Sequence, residues 1–388
     1  MGDTENTGRA SEPAVRKAAR VLMFGVAVAL ALGLGGWALL RSRSPGVPMP
    51  VLGVDGRPVP GSISEKIFVD IGGVRQGMFI RSADPANPVL LFVHGGPGMP
   101  EYFLDELYPT GLESRFTVCW WEQRGAGLSY SPGMDPGTLT VDRLVSDVLE
   151  ATDYLRSRFG KDKIYLLGHS WGSFLAIKAA DRAPEKFLAY IGVAQVADQT
   201  ESEKRAYAYM LDRYMEAGNE KKLRKLWKYP ILESGEDVLL SYMGSLLRDE
   251  TMHELGIGTT RTMKSVITGV FLPVWRSRAY TLREKADIWK AKAFLARSTD
   301  LRSRLLTARP EEEILSLDIP AYFLSGRHDL TVSRDLSRRY LGKLAAPVKG
   351  FYTLEDSAHS PMFEEPKKFL RILTEDVLAG TVNLADRD

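Results

Sequence analysis

Gly168-His169-Ser170-Trp171-Gly172 sets a serine between two glycines in a G-x-S-x-G pattern. The chemistry such a pattern serves is nucleophilic attack by a serine hydroxyl. The apolar run 163–169, "KIYLLGH", leads into it and "SFLAIKAA" leads out, so the sequence predicts a strand, a sharp turn and a helix. That geometry holds a serine on a strained elbow with its Oγ above the edge of a sheet. The bland alternative is a glycine-lined β–α turn with an incidental serine. A serine hydroxyl is a poor nucleophile near neutral pH and needs a base, and the base needs an orienting acid.

The chain has five histidines: His94, His169, His253, His328 and His359. Where an elbow serine is the nucleophile, the acid and then the histidine follow it along the chain. His253 lies in a helical stretch before the strands resume, and His328 directly precedes Asp329 with no strand-end acid before it. His359 follows the strand-like "GFYTLE" in the loop "DSAHSPMFEEP", where a base at a strand's C-terminal edge belongs. The expected base is therefore His359. The expected acid is Asp329, at the end of the strand in "FLSGRHDLTV". Asp356 is the alternative, but it sits only three residues before His359 in the same loop.

Attack on a carbonyl creates an oxyanion, and each backbone donor aimed at it is worth about 3–4 kcal/mol. One donor is expected from Trp171, the residue after the nucleophile. The other is expected from the loop His94-Gly95-Gly96-Pro97-Gly98, which follows the apolar run "PVLLFVH", with Gly95 or Gly96 as donor. No second ligand at metal spacing accompanies His94 or His169, so neither a metal nor a cofactor is expected.

These residues need a scaffold. Short continuous apolar runs at 88–94, 116–121, 163–169, 187–194, 321–326 and 350–355 suit strands covered on both faces. A hairpin is predicted around Gly72-Gly73. Helical stripes alternate with the later runs, for example Leu144, Val145, Val148, Ala151, Leu155 and Phe159, ending at Gly160. Alternation of this kind predicts an α/β fold, a mostly parallel central sheet with helices on both faces. It breaks between about 198 and 317, which reads as a helical insertion. The basic stretch 221–228 reads as a solvated helix face. The lone cysteine, Cys119, lies in "FTVCWW" and reads as a buried thiol.

The segments "FVHGGPG", "WWEQRGAGLS", "LLGHSWGS", "SGRHDLTV" and "SAHSPMFEEP", in this order and spacing, resemble the proline iminopeptidase branch of the α/β-hydrolase family. The likeness covers residues 64–380. It implies a serine peptidase with a helical cap and no metal, releasing N-terminal proline or another residue from short peptides. Two departures stand out. The family's Asp-Gln-Arg-Gly segment is Glu122-Gln123-Arg124-Gly125 here. The family's cap Trp-Glu, whose carboxylate binds the substrate's amino group, has no counterpart, because Trp121-Glu122 lies outside the cap. Cap carboxylates such as Glu201, Glu203, Glu216 and Glu233 are candidates for that role, and none is marked out by its surroundings in the sequence. The rival hydrolase reading is an esterase, amidase or lactonase with an apolar pocket, for which "VITGVFLPVW" (266–275) is a candidate wall. A reading of another class is an inactive, membrane-tethered binding protein on a hydrolase scaffold.

Residues 21–40 carry no charge, and twenty residues in a helix rise about 30 Å, the thickness of a bilayer's hydrocarbon core. "WALLRSRS" is a poor cleavage site, so an uncleaved single-pass anchor is expected. Arg16, Lys17 and Arg20 before it, against Arg41 and Arg43 after it, favour an extracytoplasmic catalytic part. The expected organisation is a polar tail (1–20), an anchor (21–40), a Pro/Gly-rich extended linker (41–63), a first core part (64–197), a cap (198–317) and a second core part (318–388). With a net charge of +2, nothing argues for nucleic acid as a partner. The expected partners are a small-molecule or short-peptide substrate and the membrane.

Overall fold

A computed structural model describes residues 12–387. Residues 1–11 of the polar tail and residue 388 lie outside the described residues. Eight strands form one sheet: β1 (Ile63–Ile71), β2 (Val74–Ser82), β3 (Val89–Val93), β4 (Thr117–Trp121), β5 (Ile164–His169), β6 (Phe187–Val193), β7 (Ala321–Gly326) and β8 (Lys349–Leu354). Their order is β1-β2-β4-β3-β5-β6-β7-β8. β1 and β2 form the expected hairpin, with Ile71 opposite Val74, and β2 pairs antiparallel with β4. The remaining pairs are parallel.

The parallel strands read as continuous apolar runs because both faces are covered. Along β3, Leu91 and Val93 enter one core with Val145, Val148 and Leu175, while Leu90 and Phe92 enter the opposite core with Phe103 and Phe369. That is the two-residue period of a strand, and burying each such side chain stabilises the fold by about 1.5–3 kcal/mol. Cys119 is fully buried among the first set.

The chain runs from β3 to β4 on one side and then crosses to β5 on the other, so β3 and β5 are neighbours on either side of a reversal in winding. Ligands of open α/β sheets bind beyond the strands' carboxyl ends at such a switch point. Here those ends carry the His94 loop and Ser170.

Between β6 and β7 the chain is helical, including Gln199–Glu216, Leu246–Glu254, Leu282–Ser298 and Leu301–Leu306. Part of it has a separate core, with Tyr207, Met210, Leu226 and Tyr242. In the basic stretch, Leu223 and Leu226 turn inward, while Lys222 pairs with Glu250 and Arg224 with Glu220.

The helix Glu12–Ser42 is long and apolar enough over residues 19–42 to cross a membrane, by length and composition, and that stretch is exposed. The stretch after it departs from an extended linker. Ser44 Oγ accepts a hydrogen bond from buried Lys285 Nζ at 2.8 Å, Pro45 bridges Thr281, and the N–H groups of Gly46 and Val47 donate to Arg278 O. Val51 is buried. Pro and Gly content predicted looseness here, but Gly46, at φ 74°, lies so close against the helical insertion that a Cβ would stand 2.5 Å from Thr281 Cγ2.

Candidate active site

Ser170 sits between β5 and the helix Trp171–Arg182 with φ 54° and ψ −122°. A non-glycine residue held there costs about 1–3 kcal/mol, which the surrounding packing has to offset. The two flanking glycines make it feasible. A Cβ on Gly172 would run into Val93 O, and one on Gly168 would crowd the backbone of Gly172 and Ser173. Ser170 N–H donates to Val193 O at 2.9 Å, which fixes the elbow to β6.

His359 Nδ1 lies 3.0 Å from Asp329 Oδ2. Asp329 is on the loop after β7 and His359 on the loop after β8, so the two strand ends deliver acid and imidazole to one another. Asp329 Oδ1 also accepts Val332 N–H at 3.0 Å. His359 is held from both sides: its N–H donates to Gly258 O at 3.2 Å and its carbonyl accepts from His169 Nε2 at 2.8 Å. The rings of His169 and His359 are 4.9 Å apart. Among the described residues no hydrogen bond joins the Ser170 hydroxyl to His359, a contact that is often long in free enzymes and tightens with substrate. Asp356 is exposed, its N–H donating to Glu365, and His328 is only half-buried.

Glu101 went unnoticed in the sequence, yet it joins three parts of the site. Its Oε1 accepts Gly95 N–H at 3.0 Å and lies 2.8 Å from His169 Nδ1. Because His169 Nε2 faces a carbonyl and Nδ1 a carboxylate, both nitrogens donate and the ring is an imidazolium. Burial works against that charge, but the charge and hydrogen bond of Glu101 outweigh it and raise His169 above its usual 6.5. Burial likewise opposes the Glu101 carboxylate, and His169 overcomes it, holding Glu101 below its usual 4.5. His94 is the opposite case. Its Nδ1 donates to Gly95 O and its Nε2 accepts Gln123 N–H, so it is neutral, and burial lowers its pKa. Gln123 also accepts from the Trp171 indole and donates to His94 O, tying the elbow to the loop after β3. A GGPGMPE string ending in an acid was the sequence signal available for Glu101.

The glycines of that loop divide the work. Gly95 packs against the elbow, where a Cβ would stand 3.3 Å from Ser170 Cβ, and its N–H is spent on Glu101. Gly96, at φ 125°, lines a cavity of about 200 Å³ together with Ser170. Gly98 makes room for Leu295 of the helix Leu282–Ser298. Of the two glycines left open by the sequence, Gly95 has its N–H bonded to Glu101, while that of Gly96 has no acceptor among the described residues. Trp171 N–H opens its helix and has no acceptor within it.

The helical insertion closes the cavity with Glu203, Arg248, Lys292 and Arg302. Of the four candidate glutamates only Glu203 is there. Glu201 pairs with Arg205 and Glu216 with Arg213, both on solvated faces, and Glu233 is exposed. Glu203 is fully buried and already bonded, to Arg248 at 2.6 and 2.8 Å and to Gln199 at 3.1 Å. Residues 266–275 do not line this cavity; its apolar wall is Met99, Met243, Leu295, Leu301 and Leu305. Glu122 also lies away from it, accepting from Tyr280 Oη and Leu128 N–H, with burial pushing its pKa up to about 8. Lys292 and Arg302 were missed because a lysine or arginine on an amphipathic helix looks the same whether it meets water or a cavity.

Residues 88–366 match the family defined by the alpha/beta hydrolase fold. A probable aminopeptidase of Bacillus subtilis (YbaC) is 31% identical over 331 residues, spanning 82% of this chain and 97% of its own length. A proline iminopeptidase of Saccharolobus solfataricus is 25% identical over 298 residues, 75% of this chain and 84% of its own. In fold, the proline iminopeptidase of Mycobacterium smegmatis superposes with a TM-score of 0.54 at 17% identity, over 81% of this chain and 98% of its own. With the match running from β3 through the loop after β8, this chain belongs to the α/β-hydrolase family, in its proline iminopeptidase-like branch, and is a hydrolase.

Proposed function

We propose that the chain is a serine hydrolase working through an acyl-enzyme on Ser170. His359 Nε2 takes the Ser170 Oγ proton as Oγ attacks the substrate carbonyl. The oxyanion is received by the N–H groups of Trp171 and Gly96. Asp329 holds His359 Nδ1–H and stabilises the imidazolium that forms. His359 then protonates the leaving group, and water, deprotonated by the same nitrogen, releases the acyl group. The reading rests on the 3.0 Å hydrogen bond between His359 and Asp329 beside a serine held at left-handed φ. Loss of turnover in Ser170→Ala with an unchanged circular dichroism spectrum tests it.

For the substrate, the names of the relatives support release of N-terminal residues from short peptides, with Glu203 as the acceptor for the amino group. A carboxylate has about four acceptor positions, and three donors already occupy this one. Aminoacyl p-nitroanilides, assayed with free and acetylated amino groups, test this directly. An unchanged rate after acetylation removes the aminopeptidase reading. The second reading, an esterase, amidase or lactonase, is favoured by one observation: Arg248 already neutralises Glu203.

The proposed organisation is a core of 64–197 and 318–388 with a cap of 198–317, tethered by residues 21–40 with the catalytic part outside the cytoplasm. Retention of the full chain in membranes after carbonate extraction, and its release on removing residues 1–43, tests the tether.

A further inference from the structure

The cavity beside Ser170 carries three cationic side chains against one carboxylate. Arg248 is satisfied by Glu203 and by Asp249 at 3.1 Å. Lys292 and Arg302 are not. Among the described residues neither makes an ion pair or a hydrogen bond, and the recorded partner of Lys292 is the face of Trp289, 6.0 Å away. They stand on successive helices, Leu282–Ser298 and Leu301–Leu306, and line the same space. Desolvation lowers the pKa of Lys292; the charge of Asp249 acts against that, and the charge of Arg302 adds to it.

Two cations lining one cavity repel one another. Exposed Lys292 and half-buried Arg302 both line the cavity that holds the nucleophile. An anion entering between them would relieve that repulsion. Elsewhere around Ser170 the charged groups are already matched, so such an anion comes from the substrate.

We propose that Lys292 and Arg302 form a carboxylate-binding subsite, so that the enzyme selects small substrates carrying a free carboxylate away from the scissile bond. This rests on Ser170 being the nucleophile. The carboxylate has two chemical sources: the C-terminus of a dipeptide or tripeptide, on the leaving side, or the distal acid of a dicarboxylic monoester, on the acyl side. A guanidinium receives a carboxylate through two parallel N–H groups and an ammonium adds a point charge, so the pair suits a carboxylate. A cavity of about 200 Å³ limits either substrate to a small molecule.

The test uses the full chain in detergent micelles. Free dipeptides are compared with their C-terminal amides, and p-nitrophenyl hemiglutarate with p-nitrophenyl butyrate. The expected result is at least a tenfold kcat/KM preference for the acid in one pair, which identifies the source. That preference should vanish in Lys292→Met/Arg302→Met, survive in Lys292→Arg and vanish in Lys292→Glu, whose new carboxylate would pair with Arg302, with p-nitrophenyl butyrate turnover within twofold throughout. Equal rates for acid and neutral partners in both pairs overturn the subsite, as does a preference that survives the double substitution. If butyrate turnover and fluorophosphonate labelling of Ser170 stay normal in that case, the serine mechanism stands and only the subsite is lost. Absence of label on Ser170 in the unaltered chain overturns both.

Discussion

On the sheet side of the Ser170 cavity, charge is matched residue by residue: His169 with Glu101, His359 with Asp329, and a neutral His94 with Gln123. On the helical side, Glu203 and Arg248 are matched, but among the described residues Lys292 and Arg302 have no hydrogen-bond or ion-pair partner. The sheet side therefore holds its charged groups through pairs already formed, whereas the helical side is completed by what it binds. Reaction chemistry needs donors and acceptors fixed before the substrate arrives, because reorganising them costs rate. Selection needs groups whose free energy falls only when the right molecule enters.

Three histidines within the site illustrate the first half. His94 accepts at Nε2 and is neutral; His169 donates at both nitrogens and is cationic; His359 has Nδ1 committed to Asp329 and Nε2 left for a proton. The partners on the other nitrogen decide each state.

The largest expected effects break the sheet side. Ser170→Ala and His359→Ala should each lower kcat by about 10⁴-fold or more, and the double variant should be little worse, because both belong to one proton-transfer unit. Single-turnover assays on folded variants check this. Asp329→Asn should cost about 10⁴-fold while Asp356→Asn stays within about twofold, since only Asp329 reaches His359. Equal losses at the two positions would return the acid assignment to open choice.

Glu101→Gln is the next largest. It keeps an acceptor for Gly95 but discharges the partner of His169, and we expect kcat/KM to fall by about 10–100-fold as the Gly96 loop and His359 lose alignment, a positional effect. Its stability effect has a definite pH window. His169 is raised above 6.5, so its contribution is complete below pH 6.5 and lost as pH rises through its folded value. Glu101 is depressed below 4.5, so its contribution is complete above pH 4.5 and lost as pH falls through its folded value. The gap in Tm between the unaltered chain and Glu101→Gln should therefore be widest between pH 4.5 and 6.5. A gap that is flat with pH would mean His169 is neutral.

Glu203→Gln probes the helical side. If Glu203 receives a substrate ammonium, kcat/KM for aminoacyl amides should fall at least tenfold, about 1.4 kcal/mol, and that for uncharged esters should hold. A parallel loss for both would mark Glu203 as a partner of Arg248 alone.

The smallest effect concerns the tether. Removing residues 1–43 keeps Ser44, Pro45 and Val51 on the insertion, whereas starting at Ser62 strips them and leaves Lys285 without Ser44. The shorter chain should melt a few degrees lower, with 1 kcal/mol worth about 2–4 °C, and keep kcat/KM within about threefold. Differential scanning calorimetry of the two truncations separates them.

These comparisons also show where the sequence was readable. The strands of the sheet were legible because burial on both faces writes itself as unbroken apolar runs, and the elbow because its glycines have no freedom to vary. Ser170, Asp329 and His359 could be named because strand ends dictate where such groups emerge. Glu101, the choice between Gly95 and Gly96, and the pair Lys292 and Arg302 could not. Each depends on which of several polar groups meets which across the fold, and pairing over that distance leaves no periodic trace in the chain. The linker was misjudged for a related reason: composition reports flexibility in isolation and says nothing about a docking surface 241 residues away, as between Ser44 and Lys285.

The central claim is that Ser170 is the nucleophile, activated by His359. The full chain, incubated with a fluorophosphonate and followed by intact mass and peptide mapping, tests it most directly. We predict one adduct per chain, on Ser170, with hydrolytic activity lost in proportion. Ser170→Ala should take no label and His359→Ala should label far more slowly. Full activity in a fully exposed but unlabelled chain, or an adduct on another residue that tracks inactivation, would contradict the account.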